Sequence, residues 1–239
     1  MTKIKLCGLS RPGDIQAANE LMPDYIGFVF APKSRRYVSL EKAAELKQML
    51  DPQIRAAGVF ADEDPQMIEE LVSRGVIDVV QLHGREDEAY IRNLRKRLGS
   101  PLIIQAFSIR TEQDAERADT SIADLILADS PGGGTGEVFD WELLGKIQRP
   151  YFLAGGLTPE NVTAAVNALR PYGVDVSSGI ETDGYKDKEK MKEFILAARL
   201  MNEEKRTERK RCNDKPERTL RHPRRSVYTG DTDERCDRT

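Results

Sequence analysis

The sequence predicts a single TIM-type (β/α)8 barrel, eight parallel strands in strict alternation with eight helices, and three observations carry that reading. Short strand-like runs recur at a spacing of roughly 20–30 residues, each followed by a helix-period pattern. The last two strand patterns run into Gly-containing turns, Leu153-Ala154-Gly155-Gly156-Leu157 and Val174-Asp175-Val176-Ser177-Ser178-Gly179-Ile180. The turn after the first strand, Cys7-Gly8-Leu9-Ser10, lacks the dinucleotide fingerprint that the rival doubly wound sheet usually carries there.

The strands are expected at 3–7, 25–30, 55–60, 78–82, 102–107, 124–128, 151–154 and 173–177. The helices between them are expected at 12–22, 39–50, 64–74, 86–98, 111–118, 140–147 and 159–169, with a last one from about Lys186 to Met201. Several helices open on start signals. Ser39 precedes Leu40-Glu41-Lys42, and Thr158-Pro159-Glu160 places a proline at a first helical position. Eight such units in 239 residues match the length of one closed barrel, assigned here to residues 1–203.

From Glu204 the pattern collapses. Residues 204–239 hold 12 Lys/Arg against 8 Asp/Glu and few core-type residues, so they read as a disordered charged tail that cannot bury enough apolar surface to offset its ordering entropy. The remaining body is acidic, which argues against nucleic acid as a partner. Three cysteines imply no disulfide framework, and no apolar run approaches the roughly 18 residues of a membrane span. A cytoplasmic, soluble protein is expected, with no membrane partner, as a monomer or alternatively a dimer.

Barrel active sites lie at the C-terminal ends of the strands. Cys7 ends the first strand, Gln81-Leu82-His83-Gly84 the fourth and Asp129-Ser130 the sixth, while Arg35-Arg36 stand in the loop after the second. A thiol, an imidazole, a carboxylate and an arginine pair thus meet on one rim. The Gly turns of strands seven and eight add backbone N–H groups suited to a phosphate, which points to a phosphorylated small molecule. Each group has a plain structural reading beside the chemical one. Cys7 is a small hydrophobe by default, His83 a hydrogen-bonding residue, Asp129 a loop cap and Arg35-Arg36 a solvated face. With only His83 and His222 present and no ligand-spaced cluster, no metal and no cofactor are expected, and the chemistry falls to a base, an acid and anion anchors.

These residues carry a resemblance. Lys5-Leu6-Cys7-Gly8, Gly27-Phe28-Val29-Phe30, Pro32-Lys33-Ser34-Arg35-Arg36-Tyr37, Val80-Gln81-Leu82-His83-Gly84, Asp129-Ser130 with Gly132–Gly136 and Phe139-Asp140-Trp141, Gly155-Gly156-Leu157-Thr158-Pro159-Glu160-Asn161-Val162 and Asp175-Val176-Ser177-Ser178-Gly179-Ile180-Glu181 follow one another over about residues 2–200. In this the chain resembles the phosphoribosylanthranilate isomerases of tryptophan biosynthesis. The resemblance implies the Amadori rearrangement of N-(5′-phosphoribosyl)anthranilate to the 1-deoxyribulose 5-phosphate derivative. It implies Cys7 as general base toward C2′, Asp129 as general acid toward the ring oxygen, and Arg36 as the contact of the anthranilate carboxylate. His83 and Asp175 are carried as substrate-site residues, and phosphate contacts map to Gly155, Gly156, Ser178, Gly179 and Ile180. The Gly132–Gly136 run reads as a lid, with a phosphate site as the alternative. Other phosphosugar barrels, or a phosphate-binding barrel without catalysis, remain the competing readings.

Strand parity adds an expectation. Lys3, Lys5 and Cys7 share a face, so a lysine lies beneath the thiol, where its charge favours the thiolate. Asp175 and Ser177 share a face of the neighbouring last strand, so Lys5 and Asp175 are expected to form an interior ion pair.

The tail reading is checked by truncation. Residues 1–203 should match the full chain in melting temperature and in kcat/KM, because little apolar surface is available to dock 204–239 by burial. A markedly lower melting temperature or a substantial loss of kcat/KM would show that the tail packs on the barrel.

Overall fold

The computed structural model describes residues 1–99, 101–129 and 141–199; the expected lid at 132–136 and the tail at 204–239 lie outside the described residues. Eight parallel strands close on one another in chain order, the first pairing with both the second and the eighth. They are β1 (Lys3–Cys7), β2 (Tyr25–Val29), β3 (Arg55–Phe60), β4 (Val79–Leu82), β5 (Leu102–Ser108), β6 (Leu125–Asp129), β7 (Tyr151–Ala154) and β8 (Gly173–Val176). Between them run α1 (Pro12–Leu21), α2 (Leu40–Met49), α3 (Pro65–Ser73), α4 (Glu88–Leu98), α5 (Glu112–Asp119), α6 (Trp141–Gly145) and α7 (Val162–Leu169), and α8 covers residues 188–199. Every predicted strand is present within a residue or two of its expected limits. No helix among the described residues is long and apolar enough to cross a membrane.

Side-chain alternation divides the buried apolar residues into two shells. Ile4, Leu6, Ile26, Phe28 and their counterparts point outward into the layer shared with the helices. Tyr25, Ala57, Val79, Ile104, Leu125 and Phe152 pack inside the barrel. Edge-to-face contacts of Phe152 with Tyr25 and Tyr172, at centroid distances of 5.5 and 5.4 Å, plug its lower half. Gly173 leaves the room for this ring: a Cβ there would lie 2.3 Å from Phe152.

The N-terminal ends of the strands are tied by a repeated device. Asp24, Asp78 and Asp124 each stand immediately before an even-numbered strand and accept the backbone N–H of the second residue of the preceding odd strand. The bonds are Ile4 to Asp24 at 3.0 Å, Ala56 to Asp78 at 2.7 Å and Ile103 to Asp124 at 2.8 Å. Each aspartate also holds a cation, Lys3, Lys47 or Arg95 respectively. These clamps explain why β4 and β6 start one residue later than predicted. Asp78 and Asp124 spend their side chains ending a ladder rather than extending it.

Two further differences bear on the site. The helix expected from Pro159 starts at Val162, because Asn161 Oδ1 accepts the Thr158 N–H at 2.8 Å and residues 158–161 form a turn. After β8 a 3-10 turn (Ser178–Ile180) leads into an unexpected antiparallel hairpin of β9 (Glu181–Thr182) and β10 (Tyr185–Lys186). Its two turn residues, Asp183 and Gly184, have φ of 53° and 81°, the paired positive values of a type I′ turn.

The clamps lie at the end of the strands opposite Cys7 and Asp129, which makes them separable from chemistry. Asp78→Ala should lower stability by about 1–3 kcal/mol, the cost of an unpaired buried N–H, and leave kcat/KM unchanged. Thermal unfolding and steady-state kinetics check both halves.

Candidate active site

A cavity of about 560 Å³ opens at the C-terminal ends of the strands, a size suited to a small ligand. Cys7, Arg36, His83, Asp129, Gly155, Gly156, Asp175 and Ser178 all border it. Of the residues predicted for the site, only Gly179 and Ile180 do not. Ile180 is buried in the outer apolar layer, and its N–H turns back toward Ser177 O at 3.5 Å.

Cys7 ends β1 and points inward beside Val29 and Val59. Beneath it the expected ion pair is present. Lys5 Nζ donates to Asp175 Oδ1 at 2.8 Å, with Lys5 wholly enclosed, and the β1–β8 register sets the two residues opposite each other. Gly27, across the β1–β2 pair, makes this crowding possible. A Cβ on it would come within 2.8 Å of Cys7 Sγ and 3.3 Å of Lys5 Nζ. Burial opposes the Lys5 charge, but Asp175 and the neighbouring thiolate hold its pKa above the ordinary lysine value. For Cys7 burial dominates and pushes the thiol up. Lys5 draws it down as expected, Asp175 raises it again and Lys186 lowers it, and the balance stays above the ordinary thiol value. Lys5 thus favours the thiolate in the expected direction, but desolvation outweighs it.

Asp129 closes β6 on the opposite wall. Its Oδ2 stands 3.6 Å from His83 Nε2, and His83 Nδ1 lies 3.1 Å from Gln81 Nε2. An amide N–H donated to Nδ1 leaves the imidazole proton on Nε2, the nitrogen facing Asp129. Gln81 Oε1 is buried at the same wall without a hydrogen-bond partner among the described residues. The loops that carry His83 are locked by Glu86, whose two carboxylate oxygens accept the N–H groups of Asp62 and Gly84 at 2.8 Å each.

Arg36 reaches the rim across Gly8, which adopts φ of 79° and leaves no room for a side chain; a Cβ there would lie 2.4 Å from Arg36 Cδ. Its guanidinium is already engaged. Nε and Nη2 donate to the Glu181 carboxylate at 2.6 and 3.0 Å. Lys186 of the hairpin donates to the same carboxylate at 2.7 Å and to Ser177 O at 2.8 Å. Burial opposes the Glu181 charge, but hydrogen bonds from Arg36 and Lys186 hold its carboxyl below the usual range, while burial pushes the Lys186 ammonium down.

The two Gly turns meet back to back. A Cβ on Gly179 would fall 1.9 Å from Leu157 O, so only glycine lets the turn after β8 seat against the turn after β7. This is the part Gly179 plays, behind Gly155, Gly156 and Ser178, which face the cavity.

Glu181, Gln81 and Gly27 stand within the sequence motifs but carried no site role there, and Lys186, expected to open the last helix, lies instead in β10. Glu181 and Lys186 had a readable signal, the Asp183-Gly184 hairpin turn between them. Gln81 shares the inward parity of Val79 on β4. Gly27 had only its place in the Gly27-Phe28-Val29-Phe30 motif, which says nothing of the space it leaves for Cys7.

The charge balance around Cys7 is directly measurable. In a chain whose tail cysteines, Cys212 and Cys236, are serine, the ultraviolet titration of the Cys7 thiolate should move to higher pH in Lys5→Met. In Lys5→Met/Asp175→Asn it should move up less, because a raising and a lowering charge are then both absent. Coincident titrations of the three proteins would show that Lys5 serves packing alone.

The model for N-(5′-phosphoribosyl)anthranilate (PRA) isomerase matches residues 4–197. An N-(5′-phosphoribosyl)anthranilate isomerase of Clostridium acetobutylicum is 42% identical over 207 residues, covering 83% of this chain and 98% of the relative. The crystal structure of phosphoribosyl anthranilate isomerase from Thermotoga maritima superposes with a TM-score of 0.77 at 38% identity, over 84% of this chain and all (100%) of that one. A phosphoribosyl anthranilate isomerase in complex with reduced 1-(o-carboxyphenylamino)-1-deoxyribulose 5-phosphate superposes with a TM-score of 0.74 at 38% identity, over 84% of this chain and 100% of that one. With the barrel and its rim on one side and these matches on the other, the chain belongs to the N-(5′-phosphoribosyl)anthranilate isomerase family.

Proposed function

We propose that Cys7 and Asp129 act as base and acid in the isomerisation of N-(5′-phosphoribosyl)anthranilate, the family's reaction in tryptophan biosynthesis. The observation that carries this assignment is the common cavity. A thiol and a carboxyl stand at separate strand ends of one enclosure that Arg36 and the Gly155 and Ser178 turns also border.

Asp129 gives its proton to the furanose ring oxygen, the C1′–O bond breaks and the anilino nitrogen takes the charge as an iminium. The Cys7 thiolate removes the proton from C2′, whose electrons form the C1′–C2′ double bond of an enolamine. A proton then leaves the 2′-hydroxyl and one is added at C1′, which gives the ketone. Solvent returns the proton held by Cys7 to Asp129. His83, with its Nε2 toward Asp129, orients that carboxyl. Arg36 receives the anthranilate carboxylate, and the turns after β7 and β8 receive the phosphate through backbone N–H groups. Asp175 serves the site through Lys5.

A thiol raised by burial is scarcer as thiolate but more basic once formed. The limb of kcat/KM that reports the base should therefore keep rising with pH above the ordinary thiol range.

The loss of anthranilate fluorescence on conversion tests the assignment. Cys7→Ser and Asp129→Asn should each lower kcat by roughly 10²–10⁴-fold with little change in the affinity of a product analogue. Near-native kcat in either variant would remove that residue from the mechanism.

A further inference from the structure

We infer that Glu181 is a positioning residue for substrate selection, fixing which edge of the Arg36 guanidinium meets the substrate carboxylate; this rests on the role of Arg36 proposed above. A guanidinium offers a carboxylate two kinds of bidentate edge, the side edge of Nε with one terminal nitrogen and the end edge of Nη1 with Nη2. Glu181 occupies the side edge, through Nε to Oε1 and Nη2 to Oε2. What Arg36 can still present as a fork is its end edge.

The carboxylate that does this is itself immobilised. Its side chain is 5% exposed, and each oxygen takes two charged donors, Arg36 and Lys186 on Oε1, Arg35 and Arg36 on Oε2. One anion among three cations has no unused acceptor direction, so it holds its partners and is not displaced by a single incoming group. The hairpin that carries it is pinned from the neighbouring loop. Arg11 Nη2 donates to Lys186 O at 2.8 Å, and the Arg11 guanidinium lies 4.6 Å from the centre of the Tyr185 ring. Lys186 Nζ binds Ser177 O, and Ser177 Oγ donates to Cys7 O at 3.1 Å. Gly8 fixes the stem of Arg36 from below. The β9–β10 hairpin thereby links the turn after β8 to the loops after β1 and β2, with Glu181 as the joint.

Such preorganisation predicts a selective effect. A ligand bearing a carboxylate on its aromatic ring benefits from the fixed fork, and one without it does not. The probes are reduced 1-(o-carboxyphenylamino)-1-deoxyribulose 5-phosphate and the same compound lacking the carboxylate. Their affinities are measured for the full chain, Arg36→Met, Glu181→Gln and the double variant, alongside KM and kcat.

Glu181→Gln should weaken the carboxylate-bearing probe about tenfold, leave the other within about twofold, and raise KM more than it lowers kcat. In the Arg36→Met background the same change should have no further effect on the ratio of the two affinities. Should Glu181→Gln fail to fold, Glu181→Asp carries the test. It keeps the charge but shortens the reach, and should lower the same ratio with a melting temperature nearer the parent.

Equal weakening of both probes, or an undiminished effect in the Arg36→Met background, would overturn the inference. A ratio that falls in Arg36→Met but not in either Glu181 variant would overturn it while leaving the role of Arg36 intact. A ratio unchanged in Arg36→Met would overturn that role and this inference with it.

Discussion

A wholly enclosed ammonium on the first strand and a nearly enclosed carboxylate on the last hold this barrel at its seam. Lys5 and Asp175 sit opposite each other in the β1–β8 register, and each leaves an uncompensated buried charge if the other is removed. The pair therefore specifies closure as well as contributing to it. A slip of one residue in β8 would turn Asp175 outward and strand the lysine. The same lysine lies under Cys7, so closing the barrel also assembles the electrostatic surroundings of the thiol. Gly27 completes the arrangement by leaving open the one volume in which Sγ and Nζ come close.

Polar groups are sorted along the strand axis. At the N-terminal ends Asp24, Asp78 and Asp124 are each spent on a backbone N–H group and a cation, which suits rigidity. At the C-terminal ends Cys7, His83, Asp129 and Gln81 border one cavity with few fixed partners, and Gln81 Oε1 has none among the described residues. Exceptions at the functional end are Glu86, spent on two backbone N–H groups, and Glu181, fully committed to cations. The commitment of Glu181 orients Arg36 and leaves its end edge for a ligand, so rigidity there serves recognition.

Strand existence was legible because inward and outward parity and β/α spacing are local properties of the chain, and the Lys5–Asp175 pair followed from parity on two adjacent strands. The rim residues followed from strand ends alone. Depth was not legible. Nothing in Lys5-Leu6-Cys7 says that burial outweighs the lysine in setting the thiol, because desolvation depends on what the other strands bring. Asp78 and Asp124 look like strand residues until the N–H groups of Ala56 and Ile103 are seen on their side chains. Gly179 has a packing role that its turn signal did not show, since its missing side chain admits Leu157 O. The hairpin holding Glu181 was readable from Asp183-Gly184 but lay beyond the repeating pattern that organised the rest.

The three aspartate clamps occupy the same register in successive strand pairs, and the fourth pair breaks the series. Phe152 pairs with Gly173 where the earlier units pair Lys5 with Tyr25, Ala57 with Val79 and Ile104 with Leu125. The residue before Gly173 is Tyr172, whose ring meets Phe152 in place of an aspartate taking an N–H. Each of the first three pairs thus brings its own terminator, while the fourth is finished by aromatic packing beside the seam. The barrel has modular joints within its pairs and a bespoke one at closure. Moving the chain ends from the β8–β1 junction to a loop between two pairs, such as that between β2 and β3, would cut through none of the clamps and would make the Lys5–Asp175 seam covalently continuous.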